Sequence, residues 1–462
     1  MNTKLPVRLF LVASMLLAIP RAQAAEVDFE GYYRARGRLY HSLSIDRDLS
    51  GYEGTSAWAE HRFWLRPRFL INDEVGVFAE LRGLDNLVWG SEARSYFDPT
   101  AADNVPIAFI DDVTAPVPTE QDHDSVLQDI TLWRAWGEVH LGQHRFRLGR
   151  MPLHWGSGVW QNDGLGLNGE YGDTADRVQW EGLFGDVYAS VAVDVTAESF
   201  VNQTDNTMSY NGMAAWRTEQ VVAGLNLQFR HSDDPEGAGQ GLNLFTADAA
   251  IDAELGRLEF HLEAVAHFGS GDLDTGLNDV QITAGGGIVE GRLLTDAVDL
   301  GLTLGMATGD GNLNDNKLKT FTFDRDYNLG IILFEQPLPT LVSSIPTSQN
   351  EGRDYSFTVT GPTVSNALLL MPKLSRHFGD DWRVEALGVI ARTARVPQTD
   401  EYSDRKFYGS EIDASVSFEG LEHLELQGTV GVFFPGGYYT NFENLGISGI
   451  VVGGQVVTRI RF

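Results

Sequence analysis

The sequence predicts an all-β chain: a transmembrane, antiparallel, up-and-down β-barrel of about 18 strands, with roughly 16 to 20 compatible with the pattern. Three observations lead there. Polarity alternates with a period of two in segment after segment, down to the terminal Phe462. Tight turns and long polar connections alternate along the chain. One apolar run of leader length opens the sequence, and no later run is long enough for a spanning helix.

The leader comes first. Lys4 and Arg8 supply positive charge, residues 9–19 are apolar, and Ala22-Gln23-Ala24 is a small-x-small cleavage site. Residues 1–24 therefore read as a cleaved signal peptide, and residues 25–462 as a single barrel with long external loops, notably 86–127, 152–175 and 308–364. The implied destination is the outer membrane of a Gram-negative cell. The chain has no cysteine, which excludes disulfides, thiolate catalysis and cysteine zinc sites. A formal net charge of −30 argues against nucleic acid as a partner. Fifty glycines and 11% aromatic residues suit strands, turns and interfacial girdles.

The first strands show the alternation most clearly. In FEGYYRARGRL (29–39), Phe29, Gly31, Tyr33, Ala35, Gly37 and Leu39 share one face; Glu30, Tyr32, Arg34, Arg36 and Arg38 share the other. Across 59–71, Ala59, Phe63, Leu65, Phe69 and Ile71 oppose Glu60, Arg62, Arg66 and Arg68. Val75, Val77, Ala79 and Leu81 then oppose Glu74, Glu80 and Arg82. Segments 187–196, 257–267 and 424–434 repeat the pattern, whereas 209–216 and 282–293 are diluted by Gly and Ala. At the end, Ile450, Val452, Val456, Ile460 and Phe462 oppose Gln455, Arg459 and Arg461. A soluble sandwich shares this period. An arginine on the lipid face at mid-membrane costs roughly 2–4 kcal/mol, so in a membrane barrel the arginine faces must look into the lumen.

Eight short turns are expected, near 72–74, 142–144, 185–186, 218–219, Gly256, 295–296, 379–381 and 419–421. Nine longer connections are expected near 42–56, 86–127, 152–175, 197–208, 233–242, 269–280, 308–364, 396–406 and 435–448. That asymmetry is the one expected between periplasmic turns and extracellular loops, with both termini in the periplasm. Residues 320–334 could add a strand pair.

The expected lumen is charged unevenly. Arg34, Arg36, Arg38, Arg62, Arg66, Arg68, Arg82, Arg134, Arg145 and Arg147 form one wall, with Glu30, Glu60, Glu80 and Glu138 among them. Later strands contribute an acidic wall: Asp194, Asp248, Asp252, Glu254, Glu259, Glu263, Asp299, Glu411, Asp413 and Glu425. Two readings stay open. The arginines form a path for an anionic solute, because guanidinium pairs carboxylates in a fork. Alternatively, arginines and acids satisfy one another in a polar interior. Arg150 breaks parity and is expected at the rim.

Other chemistry is sparse. Asp310, Asn312 and Asn314 are spaced like the start of a calcium loop but lack its distant bidentate Glu. Ser157 in HWGSGVW is not in a nucleophile elbow. His140 and His144 flank a turn, and Gly285–Gly287 lack a strand-to-helix context for phosphate. No catalytic residue, metal or cofactor is expected.

Residues 146–180, FRLGRMPLHWGSGVWQNDGLGLNGEYGDTADRVQW, join a strand ending in LGR to one led by Asp176-Arg177 through a Trp/Gly loop with Asn162 and Asp163. This layout resembles alginate-export and related porin-like barrels, as does the arginine wall. The acidic second wall departs from that family's electropositive pore. The resemblance implies an outer-membrane channel for polar solutes, anionic saccharides among them. The terminal Phe462 likewise resembles the signal by which such barrels engage the assembly machinery. The remaining expected partners are membrane lipid and a small polar or anionic solute. The competing expectation is a binding or structural barrel plugged by its loops.

Overall fold

The computed structural model describes residues 26–43, 55–89, 130–197, 207–232, 241–273, 277–312, 315–336, 340–341, 357–358, 363–396, 405–440 and 449–462. The expected leader lies outside these residues, as does most of 86–127 and much of 308–364.

Eighteen strands close into one antiparallel barrel. They are β1 (Glu26–His41), β2 (Thr55–Leu70), β3 (Val75–Val88), β4 (Thr131–Leu141), β5 (His144–Pro152), β6 (Thr174–Phe184), β7 (Val187–Ala197), β8 (Thr207–Arg217) and β9 (Val221–Ser232). The second half comprises β10 (Leu242–Leu255), β11 (Leu258–Leu273), β12 (Leu277–Leu293), β13 (Asp299–Ala307), β14 (Ala367–Phe378), β15 (Trp382–Thr393), β16 (Phe407–Leu421), β17 (Leu424–Pro435) and β18 (Val451–Arg461). Each strand pairs with its neighbours in sequence, and β1 pairs with β18 to close the ring. Closure removes both free edges, so every strand finds ladder partners within the wall.

The two faces separate as the alternation requires. Leu148, Val178, Ile412 and Val430 are 58–64% exposed on the outside, while Arg62 and Arg134 are fully buried inside. The outer surface is apolar, as a lipid-facing band must be. Phe462 ends the chain at the seam. It exchanges backbone hydrogen bonds with Gly31 (2.9 and 3.0 Å), and its ring stacks on Phe63. A Cβ on Gly31 would collide with that ring, so the seam needs glycine there.

Four details depart from the sequence reading. The turn expected at 419–421 falls at 422–423, after a register shift between Phe418 and Leu421. The connection expected at 269–280 shrinks to 274–276, because β11 and β12 pair almost to their ends. Residues 320–334 form no strand pair in the wall. In β4 a bulge opposite Glu80/Leu81 turns Trp133 inward and leaves Leu132 58% exposed, so strict parity ends there.

Two connections fold into the bore instead of over its mouth. Residues 153–173 lie against β1–β4, and residues 319–336 lie against β11, β12 and β16–β18. The second carries its own apolar core: Phe321, Phe323, Leu329, Ile331, Ile332 and Leu333 pack with Val265, Ile288, Phe433 and Val451 on the inner wall, and with Val159 and Trp160 of the first connection. This explains the weak alternation at 282–293. Ile282, Ala284 and Ile288 face inward on β12 and are covered from inside, so the inner face is apolar over that stretch and the polar half of the alternation is lost.

Candidate functional site

Arginines dominate one stretch of the inner wall because the register stacks them. Arg34 stands opposite Arg62 on β2 and opposite Arg459 on β18. Like charges directly opposite repel, so the row holds only if acceptors reach each guanidinium. Some acceptors are wall carboxylates: Glu60 for Arg36, Asp85 for Arg62, Glu80 for Arg134 (2.8 Å) and Glu425 for Arg459 (2.6 Å). Asn86 on β3 accepts from Arg34 (2.7 Å) and Thr174 on β6 from Arg134 (2.9 Å), and the inward segment 153–173 supplies further acceptors.

That segment is held by its carbonyls. Arg34 donates to the carbonyl oxygens of Leu167 (3.0 Å) and Gly169 (2.8 Å). Arg62 donates to those of Gly169 (2.9 Å) and Glu170 (2.5 Å). Arg82 donates to Glu170 O (3.3 Å), Arg134 to Asp173 O (2.7 Å) and Arg459 to Leu165 O (3.1 Å). Arg82 also lies 3.9 Å over the Trp133 ring. Arg36 and Arg38 both donate to the Glu170 carboxylate, at 2.5 and 2.6 Å. Burial opposes ionisation of Glu170, but Arg36, Arg38, Arg34 and Arg62 outweigh it and hold its carboxyl well below the usual range.

Six of the ten predicted arginines, namely Arg34, Arg36, Arg38, Arg62, Arg82 and Arg134, therefore seat the loop. The other four lie nearer the short-turn end. Arg66 pairs with Glu80 (2.6 Å), Arg68 with Glu30, and Arg145 and Arg147 with Glu181. Their side chains keep 17–37% exposure. Arg150 sits outside at the long-loop rim, forked onto Asp176 at 2.6 and 2.8 Å.

Acids perform the complementary task. Glu263 accepts the amides of Ser157 (2.5 Å) and Val159 (3.0 Å). Glu411 accepts those of Ile331 (3.0 Å), Ile332 (2.9 Å) and Leu333 (2.6 Å). The two walls are thus matched to the two polarities of the backbone: guanidinium groups hold carbonyls, and carboxylates hold amides. Glu170, Glu335 and the amide-holding role of Glu263, Glu411 and Asp326 are absent from the sequence reading, which takes Asp326 as one of several acids on a solvated loop surface. The loop acids lie in segments without alternation, so no periodic signal marks them.

Between the two inward segments lies a polar pocket bounded by Arg36, Arg38, Glu170, Tyr171, Arg325 and Gln336. Arg325 lies 5.4 Å over the Tyr171 ring. Burial, reinforced by nearby Glu411 and Glu170, pushes the Glu335 carboxyl well above its ordinary range.

The remaining motifs are accounted for structurally. Lys319 places its ammonium 3.0 Å from Asp315 and 3.6 Å from Asp310, while Asn314 of the calcium-like spacing lies outside the described residues. No group of metal-ligating side chains is found among the described residues. Ser157 Oγ meets His261 Nε2, and His261 Nδ1 meets Asp252. This is the order of a hydrolytic triad. However, the neighbouring amides of Ser157 and Val159 already donate to Glu263, so a carboxylate occupies the place where an oxyanion would need donors.

No family model matches the sequence, and no curated protein matches it. Solved structures do. Pseudomonas aeruginosa OpdQ is similar with a TM-score of 0.53 at 7% identity, over 94% of this chain and 97% of that one. Pseudomonas aeruginosa OpdG is similar with a TM-score of 0.52 at 10% identity, over 95% and 99%. A BenF-like porin from Pseudomonas fluorescens is similar with a TM-score of 0.51 at 9% identity, over 95% and 98%. At such identities the likeness is one of fold: the chain is built as an 18-stranded porin-type barrel.

Proposed function

We propose that this chain is an outer-membrane channel of a Gram-negative cell that passes or exports polar solutes, anionic saccharides among them, and performs no chemistry on them. The observation that carries this reading is a closed barrel, apolar outside and charged inside, whose two inward segments are held by arginines and acids of the inner wall and flank a polar pocket. The partly exposed Arg66, Arg68, Arg145 and Arg147 are the guanidinium groups available to a carboxylate on the short-turn side. The anionic-saccharide part of the reading rests on these groups and on the resemblance across 146–180. The reading includes export behind a cleaved leader at 1–24, assembly through the terminal Phe462, and residence in lipid.

The test is planar-bilayer recording of the purified protein in a salt gradient. Discrete conductance is expected, with a reversal potential that moves toward cation preference in Arg66→Gln/Arg68→Gln. Uronate oligosaccharides should block the current. The second reading, a barrel plugged by its loops, draws on the near-complete burial of Arg34, Arg62 and Arg134. It expects a silent wild type and a conducting variant lacking 319–336. No conductance from folded protein of either kind sinks the channel reading.

A further inference from the structure

The two inward segments meet at one carboxylate. Asp326 Oδ1 accepts the amide of Glu170 (2.6 Å), both oxygens accept that of Tyr171 (3.1 Å each), and Oδ2 accepts that of Gly172 (2.6 Å). Three consecutive N–H groups thus form an anion-binding nest, and the anion in it comes from a residue more than 150 positions away. Asp326 is itself held: its amide donates to Asp324 Oδ1 (2.7 Å), and Asn328 Nδ2 donates to its carbonyl (2.8 Å). The neighbouring Asp324 amide donates to Val159 O (2.8 Å), a second tie between the segments. Glycines make the approach possible. A Cβ on Gly164 would stand 2.9 Å from Asp326 Oδ2 and 2.8 Å from the Gly172 backbone.

The nest aims everything around it. With the amides of 170–172 turned toward Asp326, the carbonyls of 169 and 170 turn toward Arg34, Arg62 and Arg82, and the Glu170 side chain turns toward Arg36 and Arg38. Glu170 is the loop's contribution to neutralising those two guanidinium groups beside the pocket; Glu60 is the wall's. We propose that Asp326 is the positioning residue of the constriction: by filling the 170–172 nest it locks the two inward segments into one unit and places Glu170 on Arg36 and Arg38, setting both the aperture and the ion preference of the bore. This deepens the channel reading and rests on it for its effect on current, though the lock itself is independent of conduction.

Two measurements separate the lock from the channel. The chain has no cysteine, so Asn168→Cys gives a single reporter thiol on the first segment, and its loss of the 3.1 Å bond from Gln455 is common to both backgrounds compared. Its labelling by a membrane-impermeant maleimide is compared with and without Asp326→Ala, in protein whose folding is verified by heat-modifiable migration. Asp326→Ala should accelerate labelling, Asp326→Asn less so because one acceptor oxygen remains. In bilayers, Asp326→Ala should raise conductance and shift the reversal potential toward anions, in the same direction as Glu170→Gln. Unchanged labelling overturns the lock, whatever the current does. Accelerated labelling with current and selectivity like wild type overturns the claim about ion preference and leaves the channel reading standing. A silent wild type sinks the channel reading and with it the claims on aperture and ion preference, while labelling still decides the lock.

Discussion

Replacing Glu411 by alanine should release the inward segment 319–336 without opening the barrel. Glu411 projects from β16 and accepts three consecutive amides, those of Ile331, Ile332 and Leu333, at 2.6–3.0 Å. Each hydrogen bond to a charged group contributes about 1.5–3 kcal/mol net, and a buried amide left without a partner loses a similar amount. Against this, Asp413 and Glu335 lie close, and removing Glu411 relieves their repulsion. A lower figure of about 3 kcal/mol for local release is therefore appropriate, equivalent to roughly a 100-fold larger open population. Arg325 lies within the segment, so tryptic cleavage after Arg325, followed by mass spectrometry, reports that population when reclosing outpaces cleavage. Glu411→Ala should cleave about 100-fold faster than wild type, and Glu411→Gln, which keeps one acceptor oxygen, about tenfold faster. The β-sheet circular dichroism of all three should coincide. Equal cleavage rates in wild type and Glu411→Ala would refute the argument that the acidic wall holds this segment.

Three other outcomes follow from the same geometry. Gly172 has φ +81°, and a Cβ there would stand 2.5 Å from Asp163 O and 2.9 Å from Arg134, so Gly172→Ala should lower loop stability by at least about 1–2 kcal/mol, read as faster proteolysis within 153–173. Glu170 has a folded-state pKa below its unfolded value, so its contribution is present above the unfolded carboxyl range and disappears only as pH falls through the lower folded value. The difference in reversal potential between wild type and Glu170→Gln should therefore persist below about pH 4.3, and its loss near pH 6 would contradict this assignment. A fluorophosphonate probe should leave Ser157 unmodified, because Glu263 holds the two nearest amides; covalent labelling at Ser157 would show that the Ser157–His261–Asp252 chain is reactive.

The wall of this barrel was legible in the chain itself. Period-two alternation in β1, β2, β7 and β11 assigns each side chain a face, because consecutive residues of a strand must point opposite ways. Charge then decides which face points outward, as Leu148 outside and Arg147 inside illustrate. The alternation of turns and loops supplies the strand count. Such local rules break where the backbone departs from strict pairing, at the β4 bulge beside Trp133, or where a strand is covered from inside, as at Ile288.

What the arginines do was not local information. Beside wall carboxylates, their acceptors are loop carbonyl oxygens, present at every position and therefore invisible in sequence, and those of Leu167 and Gly169 arrive more than 130 residues from Arg34. The same holds for Glu263 and Glu411, whose partners are amides, and for Asp326, which reaches 170–172 from a loop with no periodic pattern. A residue's face is set by its neighbours along the strand. Its task is set by which distant backbone the closed barrel brings within about 3 Å, and only the folded chain specifies that.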